Sequence, residues 1–378
     1  MRKVVAWVTG VVLLLSVGNA SAVWWTVLSE DFSEEPTEWV YSGVSNALGQ
    51  ALFRYDAANQ RIAAEWDQSN HFEDWPNDPY VIENSHFARA LQRRLTDRNS
   101  FRVRGTLRIV GGSSPDTTEF YQIANIGLYG IESMGPDRTQ ADDFYSGNEF
   151  LVRDSGDFVE FSYFINNDSF GFNPNITAVI GGTVTDDVSC VYVTGDGKDA
   201  FWFHDTDMGA GNYLPEETDI FVELIYFGAA EGGTNRRAKV SLYTDASRTN
   251  LLEVNGVPMY YWTQALPEDE SFEVTHAALF NYAADSWDGP NAEGAGSWDD
   301  ISVALDLPAG TIVSAERSSK FSLTWVAEPG KSYSVVSLDD LVSGSRTIKA
   351  TVLAEGDTVG WTNTTSGGTG FFIVEPVE

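Results

Sequence analysis

Phe101-Arg102-Val103-Arg104-Gly105-Thr106-Leu107-Arg108-Ile109 decides the fold class. Arg102, Arg104 and Arg108 alternate with Phe101, Val103, Leu107 and Ile109. Successive side chains of a strand point to opposite faces, so this is a strand with one wet face and one buried face. On either side of it lie similar runs: Phe158 to Ile165, Ile220 to Phe227, Ala238 to Tyr243, Phe272 to Tyr282 and Ile301 to Leu305. Turn clusters separate them, such as Gly111-Gly112-Ser113-Ser114-Pro115, Gly195-Asp196-Gly197 and Glu231-Gly232-Gly233-Thr234-Asn235. Many short strands between such turns predict an all-β sandwich or jelly roll. One segment, Ser85 to Leu95, reads as a helix or as no more than a turn.

The ends of the chain set its compartment and its organisation. Met1-Arg2-Lys3 is a short basic start, Val4 to Val17 is apolar but short for a bilayer, and Ala20-Ser21-Ala22 is an A-x-A cleavage site. Residues 1–22 are therefore expected to be a signal peptide cleaved after Ala22, and the mature protein to be secreted or held at the cell surface. No Cys follows Ala22 to take a lipid, and no later segment is apolar enough for membrane insertion. A boundary is expected near Asp306-Leu307-Pro308-Ala309-Gly310, with a large sandwich over residues 23–306 and a small β-sandwich over 307–378. In the latter, Phe321 to Val326, Ser332 to Val336, Ile348 to Leu353 and Phe371 to Val374 read as strands.

The chain carries 55 acidic and 23 basic residues, a net charge of −32. Loss of Arg2 and Lys3 with the signal takes −32 to −34. Such a charge repels phosphate and argues against nucleic acid and anionic membranes as partners. Cys190 is the single cysteine, so no intramolecular disulfide forms. It sits in Val188-Ser189-Cys190-Val191-Tyr192-Val193, which reads as a strand, and a lone Cys there is usually a small buried hydrophobe.

Several segments together resemble the laminin G-like, concanavalin A-like jelly rolls of secreted bacterial proteins. Glu30-Asp31-Phe32-Ser33, with Pro36 and Trp39, is similar to their opening strand, and Leu52 to Ile62 to their next hairpin. Val159-Glu160-Phe161-Ser162-Tyr163-Phe164 resembles their central strand, and Trp298-Asp299-Asp300-Ile301-Ser302-Val303 their closing strand. Residues 321 to 374 resemble a small β-domain that commonly ends such proteins. The resemblance implies two stacked antiparallel sheets, with sugars bound on or beside a concave face, and a first strand paired with the last.

Glucanases of that fold carry E-x-D-x-x-E on the central strand. Retaining hydrolysis needs two carboxyl groups about 5–5.5 Å apart. Here Glu160 stands at the first acid, Ser162 replaces the Asp, and Phe164 or Ile165 occupies the second acid's place. One carboxylate cannot run that mechanism, so Glu160 is read as an outward polar residue available to a sugar hydroxyl. Glu223, in Phe221 to Tyr226, could line the same face, although a solvated outer-face Glu explains it as well. The histidines His71, His86, His204 and His276 show no metal spacing, and no G-x-S-x-G elbow is present.

Asp205-Thr206-Asp207-Met208-Gly209 is a truncated calcium-like loop without the terminal Glu of an EF-hand. If first and last strands pair, as the resemblance implies, Asp31 approaches Asp299 and Asp300. Their hard oxygens would suit a structural Ca²⁺; otherwise these residues cap turns or face solvent. Sugar C–H faces stack on aromatic rings, which makes Tyr129, Trp202, Trp262, Tyr282 and Trp287 candidates. Large sandwiches bury most of their aromatics, and Trp287, among turn residues, is the one most expected to be exposed. The expected ligand site is thus Glu160, Ser162, Asn125, Tyr129 and Trp287. The function read from these residues is non-catalytic glycan binding, with neutral glycans favoured by the acidic surface. A structural or adhesive surface protein is the alternative, and a polysaccharide hydrolase or lyase the third.

Overall fold

The computed structural model describes residues 22–43, 53–67, 83–111, 121–130, 158–164, 175–181, 206–207, 213–228, 236–263, 265–266, 271–283, 293–317, 321–338, 346–363 and 371–377. All regular structure among them is β. The first strands are β1 (Ala22–Glu30), β2 (Val40–Gly43), β3 (Phe53–Asp56), β4 (Arg61–Asp67), β5 (Glu83–Thr96), β6 (Phe101–Gly111), β7 (Tyr121–Tyr129) and β8 (Phe158–Phe164). Next come β9 (Asn175–Gly181), β10 (Thr206–Asp207), β11 (Asp219–Phe227), β12 (Arg237–Tyr243), β13 (Glu253–Val254), β14 (Val257–Pro258), β15 (Tyr260–Trp262), β16 (Glu273–Ala283) and β17 (Glu293–Pro308). The last are β18 (Ile312–Arg317), β19 (Phe321–Val326), β20 (Ser332–Leu338), β21 (Arg346–Leu353), β22 (Thr358–Thr362) and β23 (Phe371–Pro376).

Two antiparallel sheets face each other in a jelly-roll sandwich. One has eight strands, in the order β15-β12-β11-β6-β17-β4-β3, with β1 paired to β17. The other has seven, in the order β10-β9-β8-β7-β16-β5-β2. The chain changes sheet between β6 and β7 and again between β16 and β17, so neighbours in sequence face each other across the core. In β6 the alternation works as read: Phe101, Val103, Leu107 and Ile109 are buried while Arg102, Arg104 and Arg108 are partly exposed.

Aromatic side chains join the two sheets. Phe161 of β8 meets Trp298 of β17 edge-on at 6.4 Å, and Phe53 of β3 stacks on Phe87 of β5 at 6.0 Å. Complete burial of a side chain such as Phe161 stabilises by about 1.5–3 kcal/mol. Gly105 makes room for this packing. A Cβ there would lie 2.9 Å from Ile126 Cδ1 and 3.0 Å from the Trp298 ring.

Ser85 to Leu95 is not a helix or a turn; it lies within β5, paired with β16 on one side and β2 on the other. The buried residues Phe87, Leu91 and Leu95 are four apart, a spacing that fits both the helical period and the strand's period of two. Pairing on both edges satisfied the backbone and decided between them.

The described residues divide into two compact units, one within residues 26–304 and a smaller one within residues 305–378 together with residues 22–25. In the smaller unit β18-β19-β22 and β21-β20-β23 form two three-stranded sheets. Leu323, Trp325, Tyr333, Val335, Ala354 and Val359 are its core. The Glu328 amide donates to the Tyr333 hydroxyl at 2.8 Å, which ties the turn between β19 and β20 to that core. Residues 1–21 and the segment Val188 to Val193 with Cys190 lie outside the described residues.

Candidate functional site

Three groups of polar and aromatic residues stand out on the jelly roll. The first is on the seven-stranded sheet, where the central strands pair in register. Asn125 opposes Ser162, Gly127 opposes Glu160, and Tyr129 opposes Phe158. Ile126 and Phe161 point inward to Trp298, so the alternate residues Asn125, Tyr129 and Glu160 belong to the other face. None of the three meets solvent. Asn125 and Tyr129 are fully buried, Glu160 is only 2% exposed, and the Tyr129 hydroxyl donates to Glu160 Oε2 at 2.8 Å. The Tyr129 ring also stacks on Phe158 at 6.1 Å. Gly127 permits the close approach of β7 and β8, because a Cβ there would lie 2.4 Å from the Val159 carbonyl oxygen.

His276, the register partner of Tyr129 on β16, has its Nδ1 2.8 Å from Thr275 Oγ1. Trp287 and Trp202 lie outside the described residues, as do His71, His204 and all of Asp205 to Gly209 except Thr206 and Asp207.

Glu223 does not line that face. It is on β11 of the eight-stranded sheet, where Arg104 holds it with N–O distances of 2.7 and 2.6 Å and the Tyr243 hydroxyl donates to it at 3.4 Å. The second group surrounds this ion pair on the outer face of that sheet. Two register rows cross it. One runs Arg102, Ile225, Lys239, Trp262, and the next Arg104, Glu223, Ser241, Tyr260.

At the β15 edge the rings gather. Phe227 stacks on Trp262 at 5.5 Å, and the Arg237 guanidinium lies 4.0 Å from the Trp262 ring centre. Lys239 Nζ is 5.5 Å from the Tyr260 ring and 5.6 Å from Trp262. Tyr260 is 42% exposed and Phe227 37% exposed. Burial, then the neighbouring Arg104, pushes Arg102 down to about 10. The same two causes, in that order, lower Arg248, whose guanidinium lies 5.7 Å from the Phe221 ring. Asp245 shapes the turn that carries Arg248, accepting the Asn250 amide at 2.7 Å and the Thr249 amide at 3.2 Å.

The third group contains Asp31, Asp299 and Asp300. Asp31 follows β1 and accepts the Ser33 amide at 3.0 Å and the Ser33 hydroxyl at 2.7 Å, which hold its carboxyl below the ordinary range. Gln60 donates to the Ser33 carbonyl at 3.2 Å, so this turn abuts the β3–β4 hairpin. Asp299 accepts the Asp300 amide at 2.8 Å and lies 4.0 Å from Arg61, which is 2.9 Å from Asp219. Burial raises the Asp299 carboxyl. Among the described residues no three His, Cys, Asp or Glu side chains are grouped to hold a metal ion.

Tyr260, Phe227, Arg237 and Lys239 were not singled out by the sequence reading, although Trp262 was. Their signal is an alternation: Arg237 and Lys239 flank Ala238, and Tyr260 and Trp262 flank Tyr261, with both central residues buried.

No family model and no curated protein matches this chain. Among solved structures it is similar to the carbohydrate recognition domain of Emp47p, at 12% identity and a TM-score of 0.37, over 75% of this chain and 98% of that one. It is also similar to arcelin-5, a lectin-like defense protein from Phaseolus vulgaris, at 11% identity and a TM-score of 0.38, over 74% and 97%. Alginate lyase Aly36B is similar at 8% identity and a TM-score of 0.37, over 76% and 97%.

Proposed function

We propose that this protein is a secreted, non-catalytic, glycan-binding protein that holds sugar over the rings at the β15 edge of its eight-stranded sheet. The observation that carries this reading is the exposure of Tyr260 and Phe227 around Trp262. Exposed rings do not serve the core, and clustered apolar surface marks an interaction site. Rings offer flat faces to sugar C–H groups, while the tyrosine hydroxyl and the adjacent cations supply donors for sugar oxygens. β15 is only three residues long, which leaves little open edge for strand addition by another chain.

On this reading Tyr129 and Glu160 tie β7 to β8 inside the fold, with Asn125 buried on the same face. Calcium at Asp31, Asp299 and Asp300 is a separate proposal, which rests on the β1–β17 pairing that brings the first and last strands of the sandwich together and requires the ion to draw the three carboxyls into one group. A glycan array tests the function. Binding to one or more glycans supports it, and no binding to any glycan favours a structural or adhesive role.

A further inference from the structure

We propose that the ligand of this ring patch is an anionic glycan, a polysaccharide bearing a carboxylate or sulfate on its sugar rings. This rests on the glycan reading above and names the class of sugar. The chain has 55 acidic residues against 23 basic ones, and several of its described cations are already paired with carboxylates. Arg61, Arg89, Arg94, Arg104, Arg108 and Arg346 each have one within ion-pair distance, as does the buried Arg236. Arg237 and Lys239 do not. Among the described residues their contacts are with rings, Trp262 for both and Tyr260 for Lys239. A ring face positions a cation without neutralising its charge, so each remains able to receive an anion.

The neighbouring groups point the same way. In the two register rows the one acid is Glu223, and Arg104 already pairs with it. Ser241 and Glu223, which could serve neutral hydroxyls, are both buried. Among the described residues of this patch, the polar groups left to a ligand, apart from the Tyr260 hydroxyl and the Trp262 indole N–H, are cationic donors. Arg237 offers a planar fork that matches a carboxylate or sulfate, and Lys239 a point charge. Two residues apart on one strand, they stand roughly 6.6 Å apart along β12. That suits charges spaced one per sugar ring beside rings that stack on the sugars.

The net charge of the chain favours neutral glycans, whereas the local arrangement favours charged ones. The local arrangement decides. At physiological ionic strength the Debye length is about 8 Å, so distant carboxylates are screened while contacts at Arg237 and Lys239 are felt in full. The same comparison disfavours nucleic acid, whose duplex carries one charge per about 1.7 Å and brings far more charge against the acidic surface.

The test is affinity electrophoresis at fixed ionic strength in gels containing polygalacturonate, the same polymer after carboxyl reduction, or single-stranded DNA. The full mature chain is compared with Arg237→Gln/Lys239→Gln and with Tyr260→Ala, each checked by thermal melting. The expected result is stronger retention by polygalacturonate than by its reduced form. The double Gln variant should lose about tenfold or more of its affinity for the charged polymer. It should keep its affinity for the reduced form, and Tyr260→Ala should weaken both. Equal retention by both polymers, unchanged in the double Gln variant, overturns the anionic assignment and leaves glycan binding standing. Retention by DNA alone overturns it in favour of nucleic acid. No retention by any polysaccharide removes both proposals.

Discussion

The Tyr129 hydroxyl donates to Glu160 Oε2 at 2.8 Å between β7 and β8, where neither side chain reaches solvent. A carboxyl taken out of water needs such donors, and removing one partner leaves the other with its desolvation cost. Tyr129→Phe is therefore expected to destabilise the fold by about 1–3 kcal/mol, read from urea unfolding. Glycan retention of the folded variant should not change, because the bond lies away from the ring patch. A variant as stable as the wild type would show that other groups already satisfy Glu160.

Two buried glycines, Gly105 and Gly127, differ in what opposes them. At Gly127 a new methyl would meet the Val159 carbonyl oxygen at 2.4 Å and Glu160 Cα at 2.8 Å, both backbone. At Gly105 it would meet side chains, Ile126 and Trp298, at 2.9 and 3.0 Å. Side chains shift more cheaply than a paired backbone. Gly105→Ala should cost about 1–3 kcal/mol, and Gly127→Ala should exceed it or prevent folding. The opposite order in urea midpoints would refute this assignment.

Burial holds the Asp306 carboxyl above its ordinary range, and its Oδ1 is sealed without a hydrogen-bond partner among the described residues. A carboxyl whose folded pKa exceeds its unfolded pKa favours the fold while protonated. That contribution is full below the unfolded value and is lost as pH rises through the folded one. At pH 7 the ionised group is therefore a cost that asparagine avoids. Asp306→Asn should raise the urea midpoint at pH 7, and the gain should shrink as pH falls to about 4. A gain of equal size at both pH values would assign the effect to packing.

Calcium bound at Asp31, Asp299 and Asp300 would stabilise by mass action, about 2.7 kcal/mol at a hundredfold excess over Kd. The expected observation is a Tm that climbs from chelator to millimolar calcium and no longer does so in Asp299→Asn. An identical Tm in both conditions would remove the proposal.

Alternation in Phe101 to Ile109 was enough to read a strand, its wet face and the all-β class. Alternation does not say which sheet a strand joins. Glu160 and Glu223 look alike in sequence, yet pairing puts β8 and β11 in different sheets. Nor does it say whether an outward residue meets water. Tyr129 is placed in the expected ligand site and Trp262 is not, yet tertiary packing buries the first completely and gathers exposed rings around the second. Ser85 to Leu95 was misread for a related reason. A spacing of four suits two periods, and the partners that choose between them, Val40 to Gly43 and Glu273 to Ala283, are remote in the chain.

Whether the rings at the β15 edge hold the glycan is answered by affinity electrophoresis of the wild type, Tyr260→Ala, Trp262→Ala and Glu160→Gln on one panel of polysaccharides. The wild type should be retarded by at least one polymer. Each ring variant should bind it about tenfold more weakly, a difference of about 1.4 kcal/mol, with the melting curve showing an intact fold. Glu160→Gln should bind as the wild type does. Retention untouched by both ring substitutions but abolished in a folded Glu160→Gln would contradict this site and move the glycan to the seven-stranded sheet.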